Sequence, residues 1–174
     1  DEFSLGGATL QAFETPGHAR HHHALLLDDG CQRRCFTGDA AAMLIPRCDD
    51  YVFLPSPPPE FDLEAWMTSL DLLDDLNADR YFLTHFGQCT DPKAHFQRVR
   101  EHLLANVSFV AERVENQQGV DQIMQEYQTW FRSSALEAGV DDETYDAHVH
   151  DYVIRMNVSG ILRYLENKGA KKKA

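Results

Sequence analysis

Hydrophobic spacing divides the chain into a strand-like first part and a helical second part. From Ala8 to Phe13, the residues Ala8, Leu10 and Ala12 alternate with Thr9, Gln11 and Phe13, and the run stops at Pro16-Gly17, as a strand entering a tight turn does. His22 to Leu27 predicts a second strand, Asp28-Asp29-Gly30 a turn and Arg33 to Thr37 a third strand, which together make a β-hairpin. Residues 40–60 carry Pro46, Pro55, Pro57, Pro58 and Pro59 with no sustained period, and predict a long loop crossing the surface.

The period then lengthens. Asp62 caps a helix through Asn77 whose Leu63, Trp66, Leu70, Leu73 and Leu76 form one buried stripe, and Arg80 to Thr84 reads as a short strand after it. This loop-helix-strand connection is typical of layered α/β folds. Asp91-Pro92 starts another helix, because aspartate accepts from first-turn amides and proline has no amide to lose there. It runs to about Asn116, with Phe96, Val99, Leu103, Val107, Val110 and Val114 inward. A helix from Val120 to Ala138 turns Ile123, Tyr127, Trp130 and Phe131 inward and ends at Gly139. A last helix from about Asp142 to Asn167 presents Tyr145, Val149, Tyr152, Val153, Met156, Leu162 and Leu165 to the core, and Lys171, Lys172 and Lys173 form a solvated tail.

Composition narrows the partners. With 43% hydrophobic and 25% charged residues in 174, the chain has a globular core to bury. A formal net charge of −12 opposes binding to a polyanion, which lysines and arginines drive, so nucleic acid is not an expected partner. No run approaches the ~20 apolar residues of a spanning helix, and the amino end lacks the basic-then-apolar order of a secretion signal, so no membrane partner is expected either. Cys31, Cys35, Cys48 and Cys89 show no C-x-x-C spacing and are few for a disulfide scaffold, which points to reduced thiols and a cytoplasmic location. The sequons Asn106-Val107-Ser108 and Asn157-Val158-Ser159 fall in helical patterns, unlike the exposed loops that carry glycans.

Candidate chemistry lies in three short stretches: Thr15-Pro16-Gly17-His18, Phe36-Thr37-Gly38-Asp39 and Thr84-His85-Phe86-Gly87. Each puts one potential ligand at the end of an apolar, strand-like run, where a rigid backbone holds the side chain still. Two imidazoles and a carboxylate at one rim of a sheet suit zinc or a similar divalent ion. Taken singly, His18 also reads as a surface-turn histidine, Asp39 as the aspartate of an ordinary turn, and His85 as a half-buried, hydrogen-bonded ring.

The order and wording of these stretches resemble the metallo-β-lactamase superfamily over roughly residues 8–90, TPGHARHH and FTGDA being the most specific segments. The resemblance implies an α/β fold: the C-terminal half of an αββα sandwich over residues 1–90, followed by a helical C-terminal extension over 91–174. It implies His18 on a first metal, His85 on a second and Asp39 on both. The ions would be zinc, one or two of them, with manganese or iron also compatible with His/Asp donors. A metal-activated hydroxide would attack an ester, thioester, lactone or related bond of a small-molecule substrate. The earlier signature of that family, H-x-H-x-D-H, occurs nowhere in the chain. The site would therefore be completed by an upstream half of the same protein or by another chain. The alternative is an incomplete fragment, or a non-catalytic helical interaction module with a vestigial half-site and a homo-oligomeric seam.

Other residues border this reading. His22 stands four places beyond His18, where thioester-opening relatives often have a histidine, and is the candidate for orienting a ligand or meeting an oxyanion; as a strand residue it is equally a structural ring. Alternation sends His21 and His23 to the opposite face. Met43, Leu44, Tyr51 and Phe53 would either border the mouth or pack the loop. Phe86 would shield His85 from bulk water, and Cys89 is the thiol nearest His85 in sequence. His95, His102, His148 and His150 are expected to face solvent or cap helices.

Overall fold

The computed structural model describes residues 1–45, 48–85 and 87–171; Phe86, Pro46, Lys172 and Lys173, named above, lie outside the described residues. Strands β1 (Glu2–Leu5), β2 (Ala8–Glu14), β3 (His23–Asp28), β4 (Arg33–Phe36), β7 (Arg80–Leu83) and β8 (Gly87–Cys89) form one sheet in the order β1-β2-β3-β4-β7-β8, while β5 (Met43–Ile45) and β6 (Cys48–Phe53) pair as a separate ribbon. All neighbours are antiparallel except β4 and β7, which run parallel because helix α1 (Leu63–Asp75) lies in the connection between them.

Pairing register sorts the side chains. Leu26 stands opposite Gln11 and Cys35, and Cys35 opposite Tyr81; this row faces the helices. Ala24, Leu26 and Cys35 are fully buried there, and the Tyr81 hydroxyl donates to the Leu73 carbonyl of α1 at 2.7 Å while its ring meets Phe96 of α2 (Pro92–Glu115) edge-on. The alternate row is Phe3, Leu10, Leu27 on one side and Ala12, Leu25, Phe36, Phe82 beside it. On that side Phe3, Leu25 and Phe36 remain exposed.

Helices α3 (Val120–Glu137), α4 (Asp142–His148) and α5 (Asp151–Lys171) complete the chain. One buried cluster runs from Leu26 and Cys35 through Trp66 and Phe96 to Phe131 and Ile161, so residues on both sides of position 90 share a core. Tyr127 and Phe131 are buried within it and Trp130 packs against it, which makes the aromatic stripe of α3 an intramolecular surface. Among the described residues, no helix is long and apolar enough to cross a membrane.

Several expectations need correction. The expected loop 40–60 holds the β5–β6 ribbon, hidden because Tyr51, Val52, Phe53 and Leu54 are all buried and show no alternation. Strand β1 follows from the Gly6-Gly7 turn, whose φ values of +57° and +102° suit a two-residue hairpin connection. The single helix expected over 142–167 is broken: Val149 takes φ −111° and ψ 100°, ending α4. Val114 and Tyr152 are exposed, not inward. His95 is buried instead of solvent-facing, its Nε2 donating to the Ala41 carbonyl at 2.7 Å, and half-buried His102 lies edge-on to Tyr51. Asn106 and Asn157 are buried, Asn157 accepting from the Ser56 amide, so neither sequon presents an accessible amide in this fold.

Candidate metal centre

Two turns at one rim of the sheet carry the chemistry, and both are fastened to the same helix. In the first, Gly17 adopts φ +135°, and a Cβ there would lie 2.3 Å from the Trp66 backbone, so only glycine allows the turn to sit on α1. Its carbonyl accepts from the Asp62 amide, and the Pro16 carbonyl accepts from Ser69 Oγ at 2.6 Å. In the second, Gly38–Ala41 form a short 3-10 turn. Trp66 Nε1 donates to the Ala40 carbonyl at 2.6 Å, and His95 donates to the next carbonyl. Ala42 then takes φ +60°, ψ −162°, a strained conformation of the kind held only where surrounding contacts over-determine it.

These fixed turns bring His18, Asp39 and His85 together. The carboxylate of Asp39 lies between the imidazoles, with Oδ2 at 3.5 Å from His18 Nε2 and Oδ1 at 3.7 Å from His85 Nε2. His18 Nδ1 donates to the Pro55 carbonyl at 2.8 Å, which leaves the Nε2 lone pair of the neutral ring turned toward the carboxylate. Two acceptors thus face each other, an arrangement that a cation between them satisfies. Asp39 Oδ1 is buried and has no hydrogen-bond partner among the described residues. Donor chemistry, tautomer and the orphaned oxygen all fit a divalent ion. Among the described residues no group of three or more His, Cys, Asp or Glu is gathered tightly enough to hold an ion unaided.

His22 occupies a different place. Its Nε2 accepts from the Asp39 amide at 2.9 Å, and its Nδ1 is 2.7 Å from Thr15 Oγ1, so the neutral ring is the Nδ1–H tautomer donating to that hydroxyl. Burial, assisted by His18 nearby, holds its pKa below the ordinary histidine value and keeps it neutral. Gly38 makes room for it: a Cβ there would sit 2.3 Å from His22 Nε2. The side chains of His21 and His23 are exposed, and His21 pairs with Glu60 at 3.5 Å. Cys89 is buried opposite Tyr81 on the helix-facing row.

Asp39 divides two cavities. One, of about 550 Å³, is lined by His18, His21, His22, His23 and Glu60. The other, of about 350 Å³, is lined by Asp39, His85 and His148 together with mainly apolar side chains. Of Met43, Leu44, Tyr51 and Phe53, expected either to border the mouth or to pack the loop, three line this cavity while Tyr51 is buried in the core; His148 was missed, because the break after α4 carries no proline or glycine to signal it.

A helix-backed sheet with histidines and an aspartate on turns at one rim defines a layered α/β protein with a candidate metal site. The chain belongs, through residues 1–85, to the metallo-beta-lactamase superfamily, whose sequence profile matches that span. It is 34% identical over 103 residues to the metallo-beta-lactamase fold-containing protein ST1585 of Sulfurisphaera tokodaii, covering 59% of this chain and 36% of that one. It is also 37% identical over 84 residues to the beta-lactamase-like protein 2 homolog of Caenorhabditis elegans, covering 48% and 24%. The chain thus spans about a third or less of the length of these relatives, at 36% and 24%. The structure of the metallo-beta-lactamase family protein TTHA1429 from Thermus thermophilus superposes with a TM-score of 0.57 over 98% of this chain and 48% of that one; at 20% identity this likeness is one of fold.

Proposed function

We propose that this chain supplies the later ligands and the substrate-side walls of a metal-dependent hydrolase. The observation that carries the reading is the Asp39 carboxylate set between two imidazole Nε2 atoms, with a buried oxygen that has no hydrogen-bond partner among the described residues. His18 and Asp39 Oδ2 would hold one ion, Asp39 Oδ1 and His85 a second, zinc being the first choice and manganese or iron compatible. Such ions, when bound, activate water at neutral pH and polarise the bond under attack. Pro55 and its carbonyl orient His18, and His22 holds the Asp39 turn through the backbone amide, a positioning role. The remaining donors would come from an upstream H-x-H-x-D-H segment, and the bond cleaved would be an ester, thioester, lactone or related carboxylic acid derivative.

Metal content by plasma emission spectroscopy tests this, on the chain alone and mixed with the upstream polypeptide. A bound equivalent that is lost in His18→Ala and in Asp39→Ala, and kept in His21→Ala, is expected. No bound metal in either preparation overturns the reading.

A further inference from the structure

We propose that the cavity between the β5–β6 ribbon and the α4–α5 corner seats a medium-chain, uncharged apolar acyl group, whose carbonyl end lies at Asp39 and His85. This deepens the hydrolase reading and rests on it for the identity of the reacting end. The walls are Met43, Ile45 and Phe53 from the ribbon and Val153 and Met156 from α5. Among the described residues no lysine, arginine or glutamate lines this cavity, and its polar lining is confined to Asp39, His85, His148 and Tyr152 beside the apolar walls. The neighbouring cavity across Asp39 is lined by histidines and Glu60. That difference in polarity orients a substrate: its apolar part goes to one side, and its reacting bond stays at the carboxylate between them.

Size sets the chain length. About 350 Å³ holds roughly a dozen water volumes at ~30 Å³ each, which accommodates an acyl chain of about eight carbons. The α4–α5 break is what closes the space: with Val149 extended, His148 ends one helix and Val153 and Met156 return along the next, so the helical region furnishes one wall of a site whose candidate ligands lie in residues 1–85. Each added methylene up to that length should tighten binding about three- to four-fold.

The chain has four methionines, two on this cavity and two elsewhere, and methyl NMR on methionine-labelled protein reads them separately. Octanamide, a neutral carbonyl probe, added to the metal-free chain should move the Met43 and Met156 methyls and leave Met67 and Met124 in place. Butanamide should bind at least ten-fold more weakly. Val153→Phe should abolish octanamide shifts while Met67 and Met124 keep their positions. Met156→Glu should do the same, and if it disturbs Met67 and Met124 the Val153→Phe result decides. Equal affinity for the two amides, or octanamide shifts absent or spread equally over all four methyls, overturns the proposal. His18→Ala should keep octanamide binding; chain-length-dependent amide binding with no metal bound in either preparation of the wild type overturns the hydrolase reading alone, and metal binding without dependence on chain length overturns the cavity proposal alone.

Discussion

The two sides of the sheet carry nearly the same hydrophobicity and opposite surroundings. Toward the helices, Leu26 and Cys35 are fully buried; one residue along each strand, Leu25 is 36% and Phe36 43% exposed. Phe36 stacks on Phe82 at 5.4 Å, and Phe3, Leu10 and Leu27 extend the same apolar row across β1, β2 and β3. Strands apolar on both sides are those of an internal layer, and an αββα arrangement places a second sheet on such a face. Stability of this chain should therefore be concentrated on the helix side, while the site at the rim depends on turns fastened from that same side through Trp66, Ser69 and His95.

The largest test of this asymmetry is a neighbouring pair. Leu26→Ala should cost about 2–5 kcal/mol, or roughly 4–20 °C in Tm, because it opens a cavity among side chains already in contact. Leu25→Ala, one residue away on the open side, should cost less than about 1 kcal/mol. Comparable losses in urea melts would break the comparison.

A second contrast concerns the rim. His22 is tied at both nitrogens and His21 is exposed, so His22→Ala should weaken metal binding about 10–100-fold by releasing the Asp39 turn, while His21→Ala changes it little. Titration calorimetry with zinc reads both. Equal effects would remove the positioning role.

The candidate site was legible in the sequence because its residues sit where strand patterns stop. His18 follows Pro16-Gly17, Asp39 follows Gly38, and the turns need those glycines. What holds the turns was not legible: Trp66 and His95 meet Ala40 and Ala41 over 26 and 54 residues of chain, and no local pattern encodes such a contact. The cavity wall was hidden for another reason. Apolar spacing continues from Tyr145 through Val149 to Val153 and Met156 as if one helix ran on, so periodicity conceals the break that forms the wall. By contrast, β1 carried readable signs, alternation and Gly6-Gly7, in a stretch too short to weigh heavily.

The covered interior also holds a titratable group. Burial lowers the pKa of His102 below 6.5, with Arg98 acting in the same direction and Glu101 against it. The unfolded chain then binds the proton more readily than the folded one. This part of the stability is complete above pH 6.5 and is lost as pH falls through that value toward the folded pKa. Urea midpoints on either side of it should differ less in His102→Gln than in the wild type; an unchanged difference would assign the pH dependence elsewhere.

The smallest expected effect is the most direct probe of the open side. Phe3 and Leu5 are 53% and 52% exposed on the edge strand β1, with side chains on the apolar row. Little area leaves water when they fold, so Phe3→Ser and Leu5→Ser should each shift stability by no more than about 0.5 kcal/mol. Both substitutions remove apolar surface, and the fluorescence of a dye that binds exposed hydrophobic patches should fall in the double variant while the melting curve stays in place. If the double variant melts as early as Leu26→Ala, the two sides of the sheet contribute alike. If it keeps both its melting temperature and its dye signal, the open apolar patch lies elsewhere than on the row that the strand register assigns to it.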